Sequence, residues 1–167
     1  MAAQASFDIT SKVDLQEVDN AINQAKKELA QRYDFKGSKS SIELKAKENL
    51  IELVADDNFK MEAVWEIVLT RLIRRGVPTK NLKPGDIEAI GGALVKRKVE
   101  LQQGINSDAA REITKFVKDQ KMKKIQVTIQ GDQLRVTSSS KDELQNAIQV
   151  LRAQDFGVEL QFGNFRD

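Results

Sequence analysis

Lys124-Ile125-Gln126-Val127-Thr128-Ile129-Gln130, then Gly131-Asp132, then Gln133-Leu134-Arg135-Val136-Thr137-Ser138, is the stretch whose reading decides the fold. Apolar and polar residues alternate on both sides of a Gly-Asp turn, which predicts an antiparallel hairpin with one buried face. Ile125, Val127, Ile129, Leu134 and Val136 point to that face. Gln126, Thr128, Gln130, Arg135 and Thr137 point away from it. A buried face needs a cover, and helical patterns flank the hairpin.

On its N-terminal side, Asn106 or Ser107 caps a helix with the stripe Ala110, Ile113, Val117. On its C-terminal side, Ser140 and Glu143 form a capping box. Leu144, Ala147, Ile148 and Leu151 are that helix's stripe, and Val158, Leu160 and Phe162 predict a last strand.

The first half reads the same way. Phe7, Ile9 and Val13 give a half-buried strand over 5–13, and Asp14 with Glu17 opens a helix carrying Leu15, Val18, Ile22, Ala25 and Leu29. Ile42, Leu44 and Ala46, then Ile51, Leu53 and Ala55, predict a second hairpin. Asp56 or Asp57 caps a helix with the stripe Met61, Val64, Trp65, Val68, Leu72, which Gly76 and Pro78 stop. Residues 80–90 read as a connector. Over 94–102, Val95, Val99 and Leu101 point inward and Lys96 and Lys98 outward; Arg97, on the inward register, suggests an edge.

The resulting order, strand–helix–strand–strand–helix–strand, twice, predicts an α+β chain of two ferredoxin-like βαββαβ domains. Each is an antiparallel sheet backed by two helices, as in RNA-recognition modules. The expected boundaries are 1–90 and 91–167. Each domain is small for an independent core, so mutual stabilisation is expected. From Asp14 to Ile42 is 28 residues, but from Ser107 to Ile125 only 18. The surplus is a longer helix plus the loop Tyr33–Ser40, and a long loop on a repeated scaffold is often functional.

Hydrophobic residues are 40% and charged residues 31% of 167, which describes a globular chain. There is no cysteine and no histidine. Thiolate chemistry, the commonest general base and the commonest zinc ligand are therefore missing. No apolar run approaches a membrane span and the N-terminus lacks a signal-peptide pattern, so a cytosolic (cytoplasmic) protein is expected. The net charge of +2 is small; residues 91–167 hold the excess, 13 Lys+Arg against 10 Asp+Glu.

Catalytic motifs are weak. Ser138-Ser139-Ser140-Lys141 spells S-x-x-K without its partner motifs, and Ser140 has a sufficient role as a cap. Asp56 and Asp57 read as helix-terminal acids before they read as metal ligands. Gly37-Ser38-Lys39 lacks a full phosphate-loop pattern, and Gly91-Gly92 lacks a dinucleotide fingerprint. No catalytic residue, metal site or cofactor is expected, and the chain is read as non-enzymatic.

Binding chemistry is better supported. Lys96, Lys98, Lys124, Gln126, Thr128, Arg135 and Thr137 would project from the open sheet face. That face has no aromatics for base stacking and suits phosphates better. The cluster Lys115, Lys118, Lys121, Lys123, Lys124 reads as complementing a helix dipole. Arg32, Tyr33, Phe35, Lys36, Ser38 and Lys39 combine aromatics and cations in one loop, a combination that can hold a purine and its phosphate.

Several segments together resemble the bacterial YajQ family. These are Arg32-Tyr33-Asp34-Phe35-Lys36-Gly37-Ser38, the hairpin 129–137, the ending Leu160-Gln161-Phe162-Gly163-Asn164-Phe165-Arg166-Asp167, Ser6-Phe7-Asp8-Ile9 and the segment 13–21. The resemblance covers essentially the whole chain. It implies two ferredoxin-like domains with exchanged strands, 94–102 joining the first sheet and 5–13 the second. It also implies nucleotide binding, with some members resembling cyclic di-GMP effectors that act through a protein or transcription-regulator partner, and guanine-nucleotide or RNA binding. It fixes no ligand residues.

The expected function is thus a nucleotide-binding protein for a guanine nucleotide such as GTP or cyclic di-GMP. Phe35 or Tyr33 would stack the base. Arg32, Lys36 and Lys39, or Arg135 with Lys96 and Lys98, would meet phosphates. Single-stranded RNA binding and a nucleotide-free protein adaptor are the alternatives.

Overall fold

The computed structural model describes residues 4–122 and 124–167. Lys123, of the lysine cluster, lies outside the described residues. The chain forms two compact units, 13–102 and 1–12 with 103–167.

In the unit 13–102, helices α1 (Leu15–Gln31) and α2 (Asn58–Arg74) cover one face of an antiparallel sheet. Its strands are β2 (Ser41–Lys45), β3 (Leu50–Ala55), β4 (Leu82–Pro84), β5 (Glu88–Ala89) and β6 (Val95–Leu101). The order is β2-β3-β6-β4, with β5 also pairing β6. Asp14 caps α1 by accepting from the Gln16 N–H at 3.0 Å, and Asp57 caps α2 through the Lys60 N–H at 2.7 Å. Gly76, at φ +78°, ends α2: its N–H reaches the Ile73 oxygen and the Val77 N–H the Leu72 oxygen, both at 3.0 Å. That left-handed step is where glycine costs least.

The core is the alternating set Ile51, Leu53, Ala55 and Val99 against Val18, Ile22, Met61, Val64 and Leu72, all buried. Val13, read as the end of the first strand, is buried in this core. Two further readings change here. Residues 80–90 hold an edge strand, β4 continued by β5, rather than only a connector. And β6 lies inside the sheet, between β3 and β4, not at its edge. Arg97 is accommodated on the helix-covered side because its Nε donates to the Gly85 oxygen at 2.9 Å and its guanidinium approaches Glu62 at 3.8 Å.

In the other unit, β1 (Ala5–Thr10), β7 (Gln126–Gln130), β8 (Gln133–Ser138) and β9 (Gln161–Arg166) form an antiparallel sheet in the order β7-β8-β1-β9. It is backed by α3 (Ser107–Asp119) and α4 (Lys141–Arg152). Phe7 stands opposite Val136 and Ile9 opposite Leu134, all four fully buried. Asn106 caps α3 through the Ala109 N–H at 2.8 Å; Ser140 caps α4 through the Glu143 N–H at 3.3 Å, the role assigned to it from sequence. The hairpin turn has Gly131 at φ +63° and Asp132 at negative φ, the backbone a two-residue primed turn requires.

Ile129, placed on the buried face by alternation, is 49% exposed, because β7 is the sheet edge. The last strand begins at Gln161, after Val158 and Leu160, and runs on through Arg166. Both sheets have the ferredoxin-like order of hairpin, inner strand and outer strand, and the architecture is α+β with two such domains. Among the described residues no helix is long and apolar enough to cross a membrane.

Candidate functional site

Arg32 ends α1, and a single 3-10 turn, Tyr33–Phe35, follows. Gly37, at φ +77°, then reverses the chain. α1 has 17 residues against 13 in α3, so the helix takes part of the surplus and this loop the rest.

The loop is held from below by the segment that opens α2. Asp56 accepts from the Ser38 hydroxyl and from the Lys39 N–H at 3.1 Å. Those hydrogen bonds, Ser38 first, hold its carboxyl below the usual value. Asp57 is the cap, so the two adjacent acids have different tasks. Lys60 Nζ donates to the main-chain oxygen of Asp34 and lies 4.7 Å from the Phe35 ring centre. Arg32 also approaches that ring, at 5.4 Å, while its Nε and a terminal nitrogen bind Asp34 at 3.0 and 2.8 Å. The hydrogen bond to Asp34 raises the Arg32 pKa and lowers that of Asp34. Beside the loop is a cavity of about 300 Å³ lined by Lys26, Leu29, Ala30, Phe35, Ser38, Ser40, Ser41 and Ile42. That is the lower end of small-molecule sites.

The sequence-derived residues therefore separate. Arg32, Tyr33, Phe35, Lys36 and Lys39 share this loop. Phe35 is 6% exposed and belongs to the core; Tyr33 is 88% exposed. Lys36 and Lys39 are exposed.

Lys96 and Lys98 lie on β6, on the sheet face away from the helices, where Lys96 and Lys45 approach Glu52 at 3.7 and 3.1 Å. Arg135 lies on β8 in the other unit, where its Nε donates to Asp8 at 3.0 Å. The basic excess of the second half also dissolves when counted by compact unit. Residues 13–102 carry 16 Lys+Arg against 15 Asp+Glu, and the remainder 11 against 10.

Sequence reasoning missed Lys60, Lys26 and Phe59. Lys60 joins the loop across 26 residues, a distance no local pattern spans. Phe59 did carry a signal: an aromatic on the first turn of α2, outside the stripe Met61, Val64, Val68, Leu72, and 82% exposed. Among the described residues no group of three or more acids forms a metal cage, and none has histidine or cysteine to offer.

The family described as nucleotide-binding protein YajQ-like matches residues 5–166. A protein of Elusimicrobium minutum named nucleotide-binding protein is 49% identical over 98% of this chain and 99% of its own length. A namesake from Heliobacterium modesticaldum is 49% identical over 99% of both chains. One from Geotalea uraniireducens is 48% identical over 96% of this chain and 98% of its own. With the whole fold inside the matched span and close to half of all positions shared, the chain belongs to the YajQ-like family.

Proposed function

We propose that this chain is a non-enzymatic nucleotide-binding protein, and that its ligand is a guanine nucleotide or cyclic di-GMP whose binding is passed to a protein partner. The observation that carries the reading is the loop 32–40. It is fastened at Asp56 and Lys60, it presents Tyr33, Lys36 and Lys39 to solvent, and it borders the 300 Å³ cavity. A fastened loop loses little entropy when a ligand arrives, which favours affinity. The names of the relatives support the ligand class. The cations of the loop suit phosphate, and Tyr33 suits a base.

The open sheet faces support it less. Arg135 and Lys96 are engaged by Asp8 and Glu52, and a phosphate would have to displace a carboxylate from each. An RNA-recognition mode through the sheet is disfavoured for the same reason.

Titration calorimetry with cyclic di-GMP, GTP and ATP tests the reading, with binding expected for a guanine ligand. Absence of heat for all three at about 50 µM protein would end it, since even micromolar affinity gives a clear signal there. Pull-down from lysate with and without the bound nucleotide tests the partner: capture should depend on the nucleotide.

A further inference from the structure

Among the described residues, most outer strands of the two sheets carry a feature that discourages pairing with another chain. β2 has Glu43 and Lys45, β4 has Lys83 and Pro84, and β9 is bent by its register shift against β1. β7, Gln126-Val127-Thr128-Ile129-Gln130, has no charge, no proline and no glycine. Its Gln126, Thr128 and Ile129 are exposed.

The register shows what that edge offers. Gln130 and Gln133 close the two-residue turn, and such a pair exchanges both main-chain hydrogen bonds. Bonding alternates along the ladder, so Thr128 and Gln126 also bond to β8. Val127 and Ile129 therefore turn their N–H and C=O groups to the open edge. Beside it, Val117 and Lys118 of α3, with Met122, Ile125 and Val127, line a groove of about 280 Å³. Ile129, on the same strand face as Val127, is 49% exposed.

We propose that β7 is a dimerisation edge, and that its occupant is β7 of a second copy of this chain. The strand is self-complementary about Thr128. In an antiparallel pair centred there, Gln126 meets Gln130, Val127 meets Ile129 and Thr128 meets itself. The same register sets Lys124 against Asp132, so opposite charges flank the ladder. Val127 and Ile129 are also the residues whose main-chain groups face outward, so hydrogen-bonded pairs form where donors and acceptors are free. Each Ile129 then lies beside the Val127 that borders the other copy's groove. This is the isologous contact of a two-fold dimer, and it joins two four-stranded sheets into one. An extended segment of unrelated sequence satisfies the main chain but not the matched side chains or the flanking charges. Such pairing needs no nucleotide at the loop 32–40.

Sedimentation velocity of the full chain from about 5 to about 500 µM tests this, a range that brackets the affinity of a small interface. The parent is expected to shift from monomer to dimer across it. Thr128→Lys and Thr128→Glu each place like charges opposite one another at the two-fold, on an exposed position. Each variant alone should weaken the dimer about fivefold or more. Mixed in equal amounts, the two bring opposite charges together there, and association should return. Misfolded variants do not recover on mixing. A parent that stays monomeric throughout overturns the dimer, as does an equal mixture no more associated than either variant alone. A monomeric parent that binds an extended peptide along β7 assigns the edge to another protein and overturns the second copy.

Discussion

Each sheet buries one carboxylate on the face away from its helices, and the two are neutralised differently. Asp8, on β1, is 4% exposed and faces Arg135 directly across the ladder. It accepts from Arg135 Nε at 3.0 Å, from Asn164 Nδ2 at 2.6 Å and from the Arg166 guanidinium at 3.1 and 3.2 Å. Glu52, on β3, is 9% exposed, but it faces Glu43 on one side and Lys98 on the other. Its ion pairs are with two lysines, at 3.1 and 3.7 Å.

Guanidinium forks and a side-chain amide give directional hydrogen bonds; ammonium groups on flexible stems give mainly charge. The first arrangement ties β8, β1 and β9 together. The second chiefly relieves a like-charge pair that would otherwise destabilise the hairpin. Fixed polar networks thus hold one sheet together, while the other tolerates its acid.

The Asp8 network depends on a bulge. Between β1 and β9 the pairing runs Asp8 to Gly163 and then Ser6 to Arg166, so β9 carries one extra residue. Asn164 takes it up at φ +54°. Strict alternation from Phe162 would place Asn164 and Arg166 on the helix-covered face. The bulge re-aims the chain. Phe165 stays within 6.0 Å of Phe7, and Arg166 reaches Asp8.

The contrast is broken most directly at Asp8. Asp8→Ala should cost about 2–3 kcal/mol in urea unfolding. That is below the range for a fully buried pair, because Arg135 and Arg166 keep partial access to water; a loss under about 0.5 kcal/mol would show that the network contributes little. Next, Asn164→Val removes a hydrogen bond and forces a β-branched residue into left-handed backbone, for about 1–2 kcal/mol, while Asn164→Gly should cost less.

Acidification gives a smaller effect. Burial pushes the Asp8 carboxyl up, but hydrogen bonds from Arg135 and Asn164 and the charges of Arg135 and Arg166 outweigh it and leave it below 3.8. A depressed folded-state value means stability present above the unfolded pKa and lost as pH falls through the folded one. Unfolding midpoints should therefore drop below about pH 4 in the parent and fall less steeply in Asp8→Ala. Glu52 is lowered from 4.5, first by the Lys45 hydrogen bond. Yet Glu52→Gln should change stability least, by about 0.5 kcal/mol or less, since it also removes repulsion from Glu43.

Much of this was legible from residue order. The stripes on α1 to α4, the caps Asp14 and Ser140, and the turn at Gly131 are local, and each was readable within a few residues; the cap of α2 was narrowed to Asp56 or Asp57, and the structure assigns it to Asp57. The edge strand β4–β5 was not, because three- and two-residue strands carry no alternation to read. The loop 32–40 was recognisable by its composition. Which of its aromatics is buried was not, since that depends on Lys60 and on the cavity wall from α1.

Residue order alone specified the four helices, the two hairpins and the inner strands β1 and β6, with the face each turns to the core, because periodicity and capping act over a few residues. Tertiary packing sets which sheet each inner strand joins, which periodicity could not show, since backbone hydrogen bonds are alike in every strand. It also decided which cations are committed. Arg135 and Arg166 meet Asp8 across 127 and 158 residues of chain, and no local pattern records a charge pair formed over that separation.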